Sequence, residues 1–174
     1  MSERGSALFP SGLMQQAAAL LDDLRQRGRK LATAESCTGG LIAALLTEIA
    51  GSSDVVERGF VTYSNAAKSQ MLGVTEAMLA QHGAVSEQVA RAMVQGALAH
   101  SQADIAVAVT GVAGPGGGSA AKPVGLVHIA AGRRGGAVLH QECRFGDIGR
   151  GPVRLASVEV AIQLVARAAA ESAP

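Results

Sequence analysis

The first apolar stripe of the chain has the spacing of an amphipathic helix, with apolar residues at i, i+4, i+7, i+8 and i+11. Its members are Leu13, Ala17, Leu20, Leu21 and Leu24. Gly28 follows the stripe and predicts the end of this helix. A short strand over residues 30–34 comes next, and the renewed helical spacing predicts a second helix over residues 39–49.

The middle of the chain alternates again between strand and helix patterns. A β-rich run predicts a strand over residues 55–63, and Asn65 is suited to cap a helix that Gly73 ends. Ser86 is a good N-cap for a further helix over residues 87–100, and the acidic Glu87 is favourably placed in its first turn.

A buried strand and a hairpin are predicted in the later part of the chain. The apolar run over residues 105–110 is typical of a strand covered on both faces. The glycine-rich residues 111–123 predict a loop. Residues 124–131 and 137–145 then predict two strands, joined by a glycine-containing turn that favours a hairpin.

A last helix completes the pattern. Pro152 is suited to its first turn, and its buried stripe is expected to be Leu155, Val158, Ile162 and Val165. Helices that alternate with strands predict an α/β fold, a three-layer α/β/α sandwich with a mostly parallel, mixed sheet of about five strands. The late hairpin supplies one antiparallel strand.

Composition narrows the class of function. Of the 174 residues 48% are hydrophobic, and 15 Lys and Arg balance 14 Asp and Glu, which predicts one domain over residues 1–174 with any disorder confined to residues 1–10. The near-neutral charge and the 2% of aromatic residues argue against a nucleic-acid partner. The start of the chain lacks a signal sequence and no apolar run has the length of a membrane span, so we expect a cytoplasmic protein without a membrane partner.

The first candidate for chemistry is Ser36, which lies between a predicted strand and a predicted helix. A hydroxyl at a helix N-terminus has free backbone N–H groups beside it, which can bind a phosphate or stabilise an oxyanion. The alternative is that Ser36 or Thr38 only caps the helix. Cys37 is a weaker candidate nucleophile, because the sequence implies no histidine beside it.

The second candidate is the pair Tyr63 and Lys68, which follows the next strand. Tyr63 is the one tyrosine, and Lys68 is one of only three lysines against twelve arginines. A lysine can lose its proton when it is desolvated and then acts as a base, whereas an arginine cannot. The alternative is an exposed lysine on the surface of a short helix.

The third candidate is the glycine-rich loop that begins after Thr110. It does not open a helix and has no Gly-Lys-Ser/Thr, so it is neither a dinucleotide fingerprint nor an ATP-type phosphate loop. A flexible linker and a ligand-binding wall are both open interpretations. The four histidines are scattered without the spacing of metal ligands, so no metal is expected.

Four segments read together resemble a known family. They are TAESCTGGLIA, FVTYSNAAKSQMLGV, GAVSEQVARAM and AVTGVAGPGGGSAAKPVGLVHIA. These motifs resemble the C-terminal domain of the competence-damage protein CinA, a family that includes the nicotinamide-nucleotide amidohydrolases known as PncC. The resemblance runs from about residue 31 to residue 131 and continues more loosely into the last helix.

The resemblance implies an activity and roles for individual residues. The implied reaction is hydrolysis of the carboxamide of nicotinamide mononucleotide to nicotinic acid mononucleotide and ammonia, with neither a metal nor a cofactor. Matched by motif, Ser36 would be the nucleophile, Lys68 its base, and Tyr63 a hydroxyl in the same proton network. The expected oxyanion donors are the backbone N–H groups of Thr38, Gly39 and Gly40.

The resemblance also implies a binding site for a pyridine nucleotide. The residues expected to bind the substrate are Thr110, Gly111, Gly114, Gly116, Arg150 and Arg154. Either arginine would serve as the phosphate clamp. The family usually has an arginine directly after Gly-Asp, whereas this chain departs from the pattern with Gly146-Asp147-Ile148-Gly149-Arg150.

Further expectations concern assembly and domain content. Many family members are dimers, so a homodimer is a possible assembly. Many members also carry an additional N-terminal nucleotide-binding domain. Because this chain begins about 30 residues before the serine motif, we expect that domain and its activities to be absent.

Two other functions stay open. A non-catalytic nucleotide-binding or regulatory module, linked to competence or DNA damage, would bind a pyridine nucleotide without releasing ammonia. A serine–lysine hydrolase of another small amide would use the same catalytic residues with a different pocket.

Overall fold

The computed structural model describes residues 8–171, so the expectation for residues 1–10 lies largely outside the described residues. The helices are α1 (Ser11–Gln26), α2 (Leu41–Glu48), α3 (Asn65–Leu72), α4 (Glu76–His82), α5 (Glu87–Ala99) and α6 (Arg150–Ala170). The strands are β1 (Leu31–Glu35), β2 (Val56–Val61), β3 (Ile105–Gly111), β4 (Leu126–Arg133) and β5 (Val138–Arg144).

The five strands form one mixed sheet in the order β2-β1-β3-β4-β5. β1 pairs in parallel with both β2 and β3, and β4 pairs antiparallel with both β3 and β5. Four of these strands therefore run in one direction and β4 runs in the other. The predicted mixed sheet with one reversed strand is confirmed.

The two faces of the sheet carry side chains of different size. Along β3, Ile105, Val107 and Val109 belong to the core beneath α1, α2 and α6, whereas Ala106 and Ala108 belong to the core beneath α3, α4 and α5. The alternation follows from the period of two along a strand. The three layers of the predicted sandwich are therefore present, and the small residues leave room for α5 to lie close to the sheet.

Most predicted elements are confirmed, including the buried stripe of α1 and the fully covered strand β3. Three details are wrong. Ser64 caps α3, since its Oγ accepts a hydrogen bond of 3.0 Å from the Ala67 N–H, and Asn65 is the first helical residue. Leu155 is 36% exposed, and Val153 is buried in the stripe of α6. The third detail is α4, which the sequence analysis left out.

The helices α3 and α5 touch at a glycine. A Cβ atom placed on Gly96 would lie 2.0 Å from the carbonyl oxygen of Leu72, so the backbones of α3 and α5 are in direct contact there. This contact fixes the distance between α3 and α5. None of the helices within residues 8–171 is long and apolar enough to cross a membrane.

The connections around β1 create a cleft at one edge of the sheet. The connection from β1 to β2 passes through α2 on one face, and the connection from β2 to β3 passes through α3, α4 and α5 on the other. Ligands of open α/β sheets bind at such a switch point, outside the carboxyl ends of the strands. Ser36 directly follows β1, and Thr110 lies at the end of the neighbouring β3.

Candidate active site

Hydrogen bonds on both sides hold the end of β1, where Ser36 lies. The Ser36 N–H donates to the Val109 carbonyl oxygen at 2.9 Å, and the carbonyl oxygen of Glu35 accepts from the Thr62 N–H at 2.8 Å. Ser36 is therefore fixed between the neighbouring strands rather than on a free loop. Its side chain is 8% exposed and faces a cavity.

The buried amine of Lys68 meets the hydroxyl of Ser36. Its Nζ lies 3.0 Å from Ser36 Oγ and donates to the carbonyl oxygen of Thr62, also at 3.0 Å. Lys68 is 1% exposed, so the alternative of an exposed lysine is wrong. Burial lowers the pKa of this amine below its ordinary value, because the charged form loses hydration. The pair has the geometry of a hydroxyl nucleophile and its base.

The N-terminus of α2 is closed by a carboxylate that the sequence analysis did not identify. Glu35 is fully buried, and its two oxygens accept hydrogen bonds from the N–H groups of Ile42 at 2.9 Å and Ala43 at 3.1 Å. Neither Ser36 nor Thr38 caps α2, because its N-cap residue is Gly40. Strand alternation directs Glu35 towards α2 and Ser36 towards α3.

In the turn between Ser36 and α2, some backbone N–H groups are hydrogen-bonded and others are not. The Gly39 N–H, one of the expected oxyanion donors, donates to the Ser36 carbonyl oxygen at 3.0 Å. Within residues 8–171, the N–H groups of Thr38 and Gly40 make no hydrogen bond to backbone or side-chain acceptors, and that of Cys37 meets only the thiol of its own residue. Gly39 and Gly40 have φ angles of 58° and 99°, which only glycine adopts readily.

The two expected phosphate-binding arginines have different surroundings. Arg150 lines the cavity, and its Nη1 and Nη2 donate to the Gly114 carbonyl oxygen and to the Tyr63 hydroxyl, each at 2.8 Å. Arg154 lies outside the cavity lining, and its Nε and Nη2 donate to the carbonyl oxygens of Cys37 and Thr38, each at 3.0 Å. The contacts of Arg154 with two backbone carbonyls differ from those of a phosphate clamp.

Tyr63 lies at the mouth of the cavity and is 60% exposed. Its hydroxyl accepts the hydrogen bond from Arg150. Among the described residues no hydrogen bond joins that hydroxyl to Ser36 or Lys68, although all three side chains line one cavity. The proton network expected to include Tyr63 is therefore not closed by direct contacts.

The cavity itself has a volume of about 280 Å³, just below the range of roughly 300–1,000 Å³ for small-molecule sites. Besides Ser36, Lys68, Tyr63 and Arg150, its walls are Cys37, Asn65, Ala84, Val85, Thr110, Gly111, Val112, Ala113, Gly114, Gly116 and Gly117. Asn65, Ala84 and Val85 were not identified as site residues. The glycine-rich loop is a cavity wall rather than a linker.

The glycines of this wall serve two purposes. A Cβ on Gly111 would lie 2.7 Å from Val127 Cγ2, and a Cβ on Gly114 would lie 2.6 Å from Val124 Cγ1, so both glycines are required for packing. A Cβ on Gly116 would meet nothing within 4 Å. The backbone near Gly116 is therefore open to a ligand.

The buried Cys37 and the pair His128 and His140 are further reactive groups near the sheet, and neither has the surroundings of a catalytic group. Burial raises the pKa of the Cys37 thiol to about 11, which makes it a poor nucleophile compared with the hydroxyl beside Lys68. His128 and His140 stack with ring centroids 5.2 Å apart, outside the cavity lining. Within residues 8–171, no group of His, Cys, Asp and Glu side chains has the geometry of a metal site.

Comparison with known sequences identifies relatives over nearly the whole chain. The model of the CinA C-terminal domain matches residues 13–169. The nicotinamide-nucleotide amidohydrolase PncC of Escherichia coli strain K12 is 53% identical over 154 residues, which cover 88% of this chain and 92% of that protein. A CinA-like protein of Mycolicibacterium vanbaalenii is 51% identical over 153 residues, covering 86% of this chain and 36% of that longer protein.

Solved structures of similar fold agree with these relatives. The crystal structure of the competence/damage inducible protein CihA from Agrobacterium tumefaciens has a TM-score of 0.92 and 57% identity, covering 93% of this chain and 98% of that chain. A CinA superfamily protein from Escherichia coli has a TM-score of 0.85 at 30% identity, covering 96% of this chain and 98% of that chain.

Proposed function

The chain belongs to the CinA C-terminal domain family and is an amidohydrolase of that family, and from this premise we propose that it deamidates nicotinamide mononucleotide. The products are nicotinic acid mononucleotide and ammonia, and the reaction is a step of pyridine nucleotide salvage. The observation that carries the catalytic part of the proposal is the buried contact of 3.0 Å between Lys68 Nζ and Ser36 Oγ.

The proposed reaction begins with transfer of a proton from Ser36 to Lys68. The neutral amine accepts the hydroxyl proton while Oγ bonds to the carboxamide carbon, and the Thr62 carbonyl keeps the amine in place through its hydrogen bond. The resulting ammonium then protonates the departing nitrogen, which leaves as ammonia. Water hydrolyses the ester on Ser36, which frees the carboxylic acid and restores the hydroxyl.

The oxyanion of this reaction requires hydrogen-bond donors near Ser36. Glu35 accepts from two N–H groups in the first turn of α2, those of Ile42 and Ala43, and the Ser36 carbonyl accepts from that of Gly39. The remaining donors of the turn are the N–H groups of Cys37, Thr38 and Gly40, of which Cys37 lines the cavity. We assign the oxyanion to this turn, beginning with the residue after the nucleophile.

The phosphate and ribose would bind at the mouth of the cavity. Arg150 is the arginine of the cavity wall, and a guanidinium binds phosphate through two parallel hydrogen bonds. Thr110 lines the same cavity, and its hydroxyl donates a hydrogen bond of 2.8 Å to the Ala84 carbonyl oxygen. The Thr110 Oγ1 is therefore free to accept a hydrogen bond from a ribose hydroxyl. The apolar side chains of Ala84 and Val85 offer a surface to the pyridine ring.

The proposed function includes a partner, a compartment and a domain organisation. Its partner is a small pyridine nucleotide in the cytoplasm, without nucleic acid or membrane, and residues 1–174 act as one domain. A homodimer stays a prediction, which sedimentation equilibrium of the purified protein would test.

The experiment is release of ammonia from nicotinamide mononucleotide in the presence of a chelator, with free nicotinamide and nicotinamide riboside as parallel substrates. We expect chelator-insensitive release and strong preference for the mononucleotide, since only that substrate offers a phosphate to Arg150. Calorimetric binding of the mononucleotide without any ammonia would instead favour the regulatory module. Faster release from another small amide would favour a different amidase.

A further inference from the structure

We propose that Arg154 is a positioning residue, which holds the turn after Ser36 with its carbonyl oxygens directed away from the developing oxyanion. The inference rests on the proposed function, because it assigns Arg154 to the same reaction. It replaces the expected phosphate contact of Arg154 with a contact to the backbone.

The first three carbonyl groups of the turn, those of Ser36, Cys37 and Thr38, accept hydrogen bonds. The oxygen of Ser36 accepts from the Gly39 N–H, and the oxygens of Cys37 and Thr38 accept from the two nitrogens of Arg154, each at 3.0 Å. By contrast, within residues 8–171 the Cys37 and Thr38 N–H groups donate to no carbonyl oxygen. Bonded acceptors beside unbonded donors are what a site for a transient anion requires.

The turn needs such a restraint because of its glycines. Gly39 and Gly40 have no side chain to limit rotation of the adjoining peptide planes. In a trans peptide the C=O and N–H point in opposite directions, so a flipped plane replaces a donor with an acceptor. A carbonyl oxygen facing the cavity would repel the oxyanion, whereas the planar fork of Arg154 binds two successive carbonyls and opposes that flip.

The guanidinium is in contact with the turn and not with the cavity. A Cβ on Gly39 would lie 3.4 Å from Arg154 Nη2, and Arg154 is absent from the cavity lining. Its positive charge also reaches the residue after the nucleophile. Burial raises the pKa of the Cys37 thiol, and the charge of Arg154 partly opposes that rise. A positive charge bonded to a peptide carbonyl strengthens the N–H of the same peptide as a donor.

Kinetics of Arg154→Ala and Arg154→Lys on nicotinamide mononucleotide test this role, with Arg167→Ala as the matched control on the exposed side of α6. We expect kcat of Arg154→Ala to fall about 100-fold, the typical effect of losing one oxyanion donor, with KM changed less than about twofold. Arg154→Lys keeps the charge but not the fork, so it should recover part of the loss. Arg167→Ala should match the wild type.

Amide NMR provides a readout that does not depend on activity. In Arg154→Lys the resonances of Thr38 and Gly39, whose peptide carbonyls Arg154 binds, should shift. Those of Ile42 and Ala43, which Glu35 binds, should stay in place.

Three results would overturn the assignment: a raised KM with unchanged kcat, which is the behaviour of a phosphate clamp, an unchanged kcat in both variants, or unshifted Thr38 and Gly39 resonances. A wild-type protein that releases no ammonia while these resonances shift in the variant would overturn the proposed function and support the restraint of the turn.

Discussion

The side chains at the two ends of the cavity differ in how deeply they are buried and how firmly they are held. At the inner end, Ser36 is 8% exposed and Lys68 is 1% exposed, and strand ends and α3 hold both residues. At the mouth, Tyr63 is 60% exposed and Arg150 is a long exposed side chain. The inner end is fixed before any ligand arrives, whereas the mouth keeps side chains that can adjust to one.

This difference separates the expected kinetic roles. In the proposed reaction, residues of the inner end act on bonds that change only in the transition state, so their loss should lower kcat. In the same proposal, residues of the mouth contact parts of the substrate that do not react, so their loss should raise KM. The effect of a substitution on kcat or on KM therefore assigns the residue to one end of the cavity.

The largest effect is expected for Ser36→Ala. Removal of the proposed nucleophile should lower kcat by about 10⁴-fold or more, while the melting temperature and nucleotide binding stay close to the wild type. Ammonia release, calorimetry and thermal unfolding measure the three quantities, and Ser53→Ala on the exposed surface is the control. A Ser36→Ala protein that keeps its kcat would remove Ser36 from the chemistry.

Loss of the base should have the next largest effect. Lys68→Met should lower kcat by roughly 10²–10⁴-fold, and Lys68→Arg should not restore it, because a guanidinium does not give up its proton. Lys30→Met, which removes an exposed amine, is the control. Activity of Lys68→Arg at the wild-type level would contradict the role of a neutral base.

The pH dependence follows from the same amine. Burial lowers the pKa of Lys68, and only the neutral form accepts a proton, so kcat/KM of the wild type should fall as the pH falls through that lowered pKa. Between the lowered and the ordinary lysine pKa the unfolded chain binds more protons than the folded one. The free energy of unfolding should therefore rise with pH in that window, and this slope should be absent in Lys68→Met.

A smaller effect, of a different kind, is expected at the mouth. Arg150→Ala should raise KM for nicotinamide mononucleotide by roughly 10- to 100-fold, the equivalent of a hydrogen bond to a charged group, with kcat little changed. Nicotinamide riboside, which lacks the phosphate, should be used equally well by the variant and the wild type. Arg144→Ala, an exposed arginine on β5, is the control. Equal losses on both substrates would exclude the phosphate contact.

The smallest effect is expected for Tyr63→Phe. Whether this variant changes KM or kcat shows whether Tyr63 acts at the mouth or at the inner end of the cavity. Loss of the hydrogen bond to Arg150 should raise KM only about fivefold, the equivalent of about 1 kcal/mol, with the pH profile unchanged. A loss of kcat as large as that of Lys68→Met would instead assign Tyr63 to the proton network that the family resemblance implies.

The fold could be predicted where periodicity was strong. The five apolar residues of α1 and the covered strand β3 follow directly from their spacing. The seven residues of α4 are too few for a helical stripe to be recognised. At Ser64 and Asn65 two good capping residues are adjacent, and only the structure decides between them.

The sequence could predict which residues belong to the site, but not how their side chains are arranged around the cavity. Arg150 and Arg154 lie four residues apart on α6 and therefore on one face of that helix, so spacing could not tell which of them reaches the cavity. No local motif predicts the role of Glu35, because its partners on α2 are seven and eight residues away, outside the range of a capping motif. The exposed Asn65 has no signal of its own, since its position depends on how α3 brings Lys68 to Ser36.

The contact between Gly96 and Leu72 has a consequence for variants selected for heat resistance. Glycine within an exposed helix is a common target for stabilisation, because alanine at the same position favours the helix by about 1 kcal/mol. Here the added methyl group would push α3 away from α5 and carry Lys68 away from Ser36. A screen based on solubility would tolerate the resulting protein better than a screen based on turnover, and Gly96 would then be lost without any change to a residue of the cavity.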